Sequence, residues 1–434
     1  MSSSRWGLSV LLVGALATSL APSANADVEA NGYGHGHGDA KRTVGYYTQW
    51  SGYGRNFLVN DLVKNGTAGK LTHLNYAFGF LDETGKCYSA DPWADYQRPF
   101  TAEQSVDGVA DVAGQALSGN LNQLKELKAR FPQLRVNISL GGWTGSKYFS
   151  NAALTPASRA ASVKSCLDLW IKGDLGGAPG AAAGLFDGID LDWEWPSSEG
   201  NAGNVVRPED KVNFTALVAE YRKQLDRLGR STRKSYDLTA FLPADPVQLD
   251  RGVETRKVFR NLTFATLQGY DYHGAWEAVT NQQSSIRTPK GDPSASKFSS
   301  QVTVDAYLTR GAPRNKVVLG VPFYSRGWTG VTNADNGLFQ TSTGPAPGTY
   351  EAGIEDYKTL KGQLAKFKVY RDPKAGHAWL FDGTTYWTWD DAVEIRRKAR
   401  YVSDRDLGGA MVWSLDGDTA DGELITALRS GLSG

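Results

Sequence analysis

Eight apolar, β-prone runs punctuate the chain, at residues 43–48, 72–80, 134–140, 184–193, 236–242, 262–270, 316–323 and 408–415. Between them lie stretches with helical spacing. One is 121–130, and another is 212–228, where Val212, Phe214, Leu217, Val218 and Tyr221 fall on one side. Apolar residues three to four apart line one face of a helix. Eight strands alternating with helices predict an α/β fold, a (β/α)8 TIM barrel. A doubly wound sheet would carry a Gly-rich phosphate turn after an early strand, and none follows here.

One interval breaks the rhythm. Residues 324–407 separate the seventh run from the eighth, and a helix at 390–401 accounts for few of them. A structureless loop of that length is uncommon in a compact domain. The segment 327–385, rich in Gly, Thr, Tyr and Trp, therefore reads as a small inserted α+β domain, leaving 43–326 and 386–434 to the barrel. An insertion after a barrel strand lies on the catalytic face, where it would wall a cleft. A last helix is predicted over 420–430.

The first residues read differently. Arg5, the mostly apolar stretch 6–20 and the small residues Ala24 and Ala26 form a secretory signal over 1–26. That stretch is too short and broken for a membrane span, and no other run of about 18 apolar residues appears. A secreted, extracellular protein with no membrane partner is expected. Residues 27–42 are Gly-rich without apolar period, a flexible leader whose His35 and His37 lack the further ligands a metal site needs. Cys87 and Cys166 leave two readings open, one disulfide or two buried thiols.

Composition narrows the partners. A formal net charge of +1 and the absence of a basic stripe argue against nucleic acid. Neither a P-loop nor a clustered Cys/His set is present, so neither metal nor other cofactor is expected. The 13 Trp and 19 Tyr are mostly core material, but such rings also form the stacking platforms of carbohydrate sites.

The chemistry concentrates in the fourth run. Asp187, Asp190, Asp192 and Glu194 fall within eight residues, and the last three alternate with apolar Ile189, Leu191 and Trp193. Successive strand residues point to opposite faces, so these three acids form one row and the apolar residues another. A half-buried row of like charges is costly unless it is used. Glu194 ends the strand before Pro196 and is the accessible acid. The two aspartates behind it are expected to raise its pKa by like-charge repulsion, which suits a general acid. Asp187 has the wrong parity for the row and is expected to hold the turn at Gly188. Calcium would want six to eight oxygens from a loop, which a row on one strand does not supply.

These acids match the D-x-x-D-x-D-x-E signature, and in it the chain resembles the family 18 glycoside hydrolases, the chitinases. Ser139, Gly141, Gly142 and Trp143 resemble the family's S-x-G-G on strand three. Gln268, Gly269, Tyr270 and Asp271 resemble its M-x-Y-D on strand six, with Gln in place of Met. Strand seven adds Gly320 to Arg326 and strand eight adds Met411 to Trp413, so the likeness runs from Tyr46 to Trp413. The insertion resembles the α+β domain of the family's deep-cleft branch.

The resemblance implies retaining hydrolysis of β-1,4-linked N-acetylglucosamine in chitin or chitooligosaccharides by a monomeric enzyme. Glu194 would protonate the glycosidic oxygen and Asp192 would hold the acetamido nitrogen. Tyr270 would bond the acetamido carbonyl, and Asp190 would share a proton with Asp192. Two acids adjacent on one strand cannot easily flank the anomeric carbon, which independently favours a substrate-assisted route. Trp413 would floor the cleaved sugar. Trp143, Thr144, Trp195, Gln268, Asp271 and Trp276 would bind substrate, beside the motif glycines Gly141, Gly142 and Gly269. Arg326 would bond sugar hydroxyls or form a structural ion pair. Trp50 is open between core and cleft, and His273 between proton network and core. Trp170 and Trp389, read on helical segments, are expected in the core. The alternatives are an endo-β-N-acetylglucosaminidase, a branch that usually lacks the insertion, and an inactive chitin-binding lectin, which commonly loses one of the acids.

Overall fold

In the computed structural model, which describes residues 41–175 and 177–433, eight strands close into a parallel barrel. They are β1 (Arg42–Thr48), β2 (His73–Leu81), β3 (Arg135–Gly141), β4 (Gly188–Asp192), β5 (Asp237–Leu242), β6 (Phe264–Leu267), β7 (Val317–Pro322) and β8 (Gly409–Trp413). Each pairs with the next, and β1 pairs with both β2 and β8. The register sets Ser139 of β3 beside Asp190, and Thr239 of β5 on its other side.

Helices α1 (Gly119–Arg130), α2 (Pro156–Cys166), α3 (Asp210–Thr232), α4 (Thr255–Asn261), α5 (Ser300–Thr309), α6 (Ala392–Asp404) and α7 (Glu423–Leu432) accompany the strands. Ile189 and Leu191 join a large buried cluster with Phe214, Leu217 and Tyr221 of α3. Each such fully buried side chain is worth about 1.5–3 kcal/mol relative to exposure. Tyr46, Phe78, Trp195, Phe241, Tyr270 and Met411 form a second cluster. The alternation along each strand thus separates a shell against the helices from a barrel interior.

Two predicted strands are shorter than their apolar runs. Leu185 and Phe186 are buried but lie in the turn before β4, which starts only at Gly188. Residues 268–270 leave the ladder after Leu267. Burial there comes from packing rather than pairing, and hydropathy alone does not separate the two.

Between β7 and β8 the chain forms a second, antiparallel sheet from Tyr324–Thr329, Gly344–Pro345, Lys368–Asp372, His377–Phe381 and Tyr386–Trp389, with Ile354–Asp356 paired to the first of these. Its strands begin before 327 and end after 385. Trp328, Val331, Trp379, Phe381 and Tyr386 make its own small core. Trp389 ends a strand rather than joining a helix, although it is buried, stacked on Tyr357 with ring centroids 4.8 Å apart. The sheet is tied to α6 by Arg371, which bonds Asp391 and Glu394, and Asp390 at its edge pairs with the buried Lys398.

Cys87 and Cys166 form a disulfide, with Cα atoms 4.9 Å apart, joining the short strand Cys87–Ser89 to the end of α2. Residues 1–26 and His35 and His37 lie outside the described residues, as does the leader 27–42 except for Lys41 and Arg42, the second already in β1. Among the described residues no helix is long and apolar enough to cross a membrane.

Candidate active site

The row of acids on β4 points into a cleft of ≈ 930 Å³ at the C-terminal ends of the strands. Asp190 lies deepest. Its Oδ2 accepts hydrogen bonds from the hydroxyls of Tyr46 (2.6 Å) and Ser139 (2.7 Å), and its Oδ1 accepts from that of Thr239 (2.5 Å). Burial raises its pKa against the pull of those hydroxyls. Among the described residues no hydrogen bond joins Asp190 to Asp192.

Asp192 is buried, and its Oδ1 has no hydrogen-bond partner. Its pKa is pushed well up, first by burial and then by Glu194 and Asp190. Glu194 lies two residues beyond the end of β4 and is half-buried. Its pKa rises to about 8 through burial first and the Asp271 charge second. The expected direction appears, with burial as its first cause; the repulsion between Glu194 and Asp192 raises Asp192 as well.

A serine that sequence reasoning missed fixes this segment. The Ser146 hydroxyl, fully buried, accepts from the Glu194 backbone N–H at 2.9 Å and lies 3.0 Å from the Asp192 carbonyl and 2.9 Å from that of Gly142. It follows the short helix Gly142–Gly145. Gly141 and Gly142 precede it at φ 107° and 76°, and a Cβ on the first would strike the Asp192 carbonyl, on the second the Phe78 ring. A Cβ on Gly269 would likewise strike the Gly320 carbonyl. These three glycines permit close packing, and none is among the residues that line the cleft. Ser139 is also behind the wall. Asp187 bonds Lys128 of α1 (2.7 Å) and the Val136 N–H of β3 (2.8 Å), so it ties β4 to its neighbours rather than holding the Gly188 turn.

Tyr270 is buried and stacked on Phe241, and its hydroxyl bonds no protein group among the described residues. Asp271 accepts from Tyr324 (2.6 Å) and from Arg326 (2.8 Å) on one oxygen. Arg326 thus has the ion pair, and it also lies 5.0 Å from the Trp276 ring centre. Both line the cleft with Thr144, Trp195, Gln268 and Trp413.

Exposure sorts the tryptophans. Trp276 (60%), Trp143 (50%) and Trp50 (40%) stand open on the cleft, whereas Trp170 is fully buried. Trp413 stacks on Phe78 at 5.8 Å and contacts Tyr46 at 5.3 Å. His273 is buried and bonds Glu277 at 2.8 Å, outside the cleft. Tyr46, Tyr53, Arg55, Phe78, Phe241, Tyr324, Tyr350 and Glu351 also line the cleft and were not foreseen. Spacing cannot tell such rings from core rings, and Tyr350 and Glu351 arrive from the insertion. Among the described residues no three His, Cys, Asp or Glu side chains are grouped to hold a metal.

A (β/α)8 barrel with a carboxylate row under an aromatic cleft defines a glycoside hydrolase. Residues 42–418 match the sequence model of the glycosyl hydrolases family 18, and the chain belongs to that family. It is similar to Chitinase 63 of Streptomyces plicatus, 37% identical over 91% of this chain and 61% of that protein. The chain spans about three-fifths of the length of the first curated relatives it matches. The catalytic domain of the psychrophilic chitinase B from Arthrobacter TAD20 superposes with a TM-score of 0.86 at 44% identity, over 90% of this chain and 95% of that one. A family 18 N-acetylglucosaminidase from Paenibacillus barengoltzii superposes at 0.72 and 30% identity, over 90% and 99%.

Proposed function

We propose that this protein is a secreted chitinase that cleaves β-1,4 linkages of N-acetylglucosamine polymers with retention, using the substrate's own acetamido group as nucleophile. One observation carries the reading. The buried Asp192 carboxyl has an unpartnered oxygen beside the acid Glu194, and the acid near Tyr270, Asp271, is committed to Arg326 and Tyr324. A two-carboxylate retaining site needs a second free carboxyl about 5–5.5 Å away across the bond. Here the missing group is a hydrogen-bond donor for Asp192, and an acetamido N–H is such a donor.

In this mechanism Glu194, protonated near neutral pH, gives its proton to the glycosidic oxygen as the bond to the anomeric carbon breaks. Asp192 accepts the acetamido N–H, and the acetamido carbonyl oxygen closes on the anomeric carbon. The free Tyr270 hydroxyl donates to that oxygen and aims it. The ionised Glu194 then takes a proton from water, which attacks the same carbon and opens the ring. The acetamido oxygen attacks from the face opposite the leaving group and water from the face that group vacated, so two inversions leave the configuration retained.

The test is hydrolysis of a defined chitin oligomer with the product anomers resolved. Wild type should release β-anomer. Glu194→Gln should lose at least ~10²-fold in kcat, the low end of a general acid's contribution. Inverted product would refute the substrate-assisted route, and an unaffected variant would refute the choice of acid. Hydrolysis of the disaccharide alone, with polymer untouched, would favour an N-acetylglucosaminidase.

A further inference from the structure

Asp95 is fully buried and takes no part in this chemistry. It sits in the single turn Trp93–Gln97, after the disulfide-bearing strand Cys87–Ser89. Its Oδ1 accepts from Gln49 Nε2 at 2.6 Å and from the Tyr76 hydroxyl, and its Oδ2 accepts from the Ser89 hydroxyl. Asn120 of α1 completes the node by donating to the Gln49 carbonyl (3.0 Å) and to the Tyr76 oxygen (3.2 Å). All three donors to Asp95 are neutral. Burial pushes its pKa up to about 6, against the pull of those donors. A carboxyl enclosed among neutral groups is an expensive prop where an apolar side chain would serve, so its directional bonds are the part worth explaining.

Those bonds lead to the cleft. Gln49 is the residue before Trp50, whose ring lies 6.1 Å from Phe78 and 6.5 Å from Trp413. The same segment grips the Trp50 loop twice more. Arg98 donates to the Gly52 carbonyl at 3.1 Å, and Asp91 accepts from the Tyr53 hydroxyl at 2.6 Å. Residues 91–98 therefore hold residues 49–53 at three points around an exposed cleft tryptophan.

We infer that the segment 91–98 is a brace that aims Trp50 and Tyr53 at the sugar chain, with Asp95 as its positioning residue. The inference rests on the reading of the cleft as a glycan groove. Asp95 touches no substrate; it acts through Gln49.

Steady-state kinetics of the full chain on an N-acetylglucosamine hexamer and on a chromogenic disaccharide test this. The disaccharide fills less of the cleft than the hexamer. Asp95→Asn should raise the hexamer KM about tenfold, the worth of one hydrogen bond to a charged group, and change the disaccharide kcat and KM less than about twofold. Arg98→Met, which frees the Gly52 carbonyl and lifts the guanidinium from the Phe100 ring (5.0 Å), should raise the hexamer KM by about threefold and decides the matter if Asp95→Asn does not fold. A lower melting temperature with the hexamer-to-disaccharide KM ratio unchanged would make Asp95 a fold prop alone and overturn the inference. Trp50→Ala separates the two readings. If it leaves the hexamer KM unchanged, the glycan-groove reading falls and the brace with it; if it raises that KM while Asp95→Asn does not, the brace alone falls.

Discussion

Removing one hydroxyl should disable the general acid without touching it. Ser146→Ala deletes the side chain that holds both the Asp192 carbonyl (3.0 Å) and the Glu194 N–H (2.9 Å). The site is fully buried, so water does not replace the hydroxyl freely. Leaving one buried donor unpaired costs about 1–3 kcal/mol of stability. The catalytic effect has a separate origin. Glu194 lies beyond the end of β4 and has no side-chain hydrogen bond of its own among the described residues, so its backbone anchors, Ser146 at the N–H and Asn204 at the carbonyl (3.1 Å), set its place. A misplacement of 1 Å in such a group costs up to about 10²-fold in rate. We expect kcat on a chitin oligomer to fall between about ten- and a hundredfold with KM nearly unchanged. A looser, wetter Glu194 should also ionise more easily, moving the alkaline limb of kcat to lower pH. The assays are oligomer hydrolysis across pH and thermal unfolding of the same preparation. A variant that unfolds earlier but keeps wild-type kcat and the wild-type limb would refute the reasoning.

Three further outcomes are expected. With Glu194 raised to about 8 in the free protein, the alkaline limb of kcat/KM should lie near that pH and fall about tenfold per unit above it, read from a pH–rate profile. The raised pKa values of Asp190, Asp192 and Glu194 mean that the native state binds more protons than the unfolded one. Their stability contribution is therefore complete at acid pH and lost as pH rises toward about 8, and Glu194→Gln should flatten that decline in unfolding midpoints. Replacing Cys87 and Cys166 together by Ser opens a loop closed over 79 residues and should cost about 4 kcal/mol in urea unfolding.

The acid row was legible because strand parity is a strictly local property. The alternation of Ile189, Leu191 and Trp193 with three acids survives any packing that makes residues 188–192 a strand. The hydroxyl partners of its deepest member were not legible. Nothing near Asp190 in the chain says that hydroxyls from β1, β3 and β5 converge on it, because that follows from barrel register. The pKa of Glu194 shows the same limit. Its direction follows from a crowded carboxyl, whereas the charge that acts on it, Asp271, sits on the loop after β6. The packing role of the motif glycines was hidden for a related reason: a glycine makes room, and only the tertiary structure shows that the Asp192 carbonyl lies against Gly141.

What the chain determined by itself is the period of its apolar positions, and with it eight strands, their helices, the long interval before the last strand and the row of three carboxylates along and just past β4. These rest on interactions between residues a few positions apart. Only the tertiary structure decided which tryptophans face the cleft, that Ser146 anchors the acid, that Arg326 holds Asp271, and that Asp95 reaches Gln49 across 46 positions. Each of those is a meeting of segments brought together by barrel closure, and local periodicity carries no information about which segments meet.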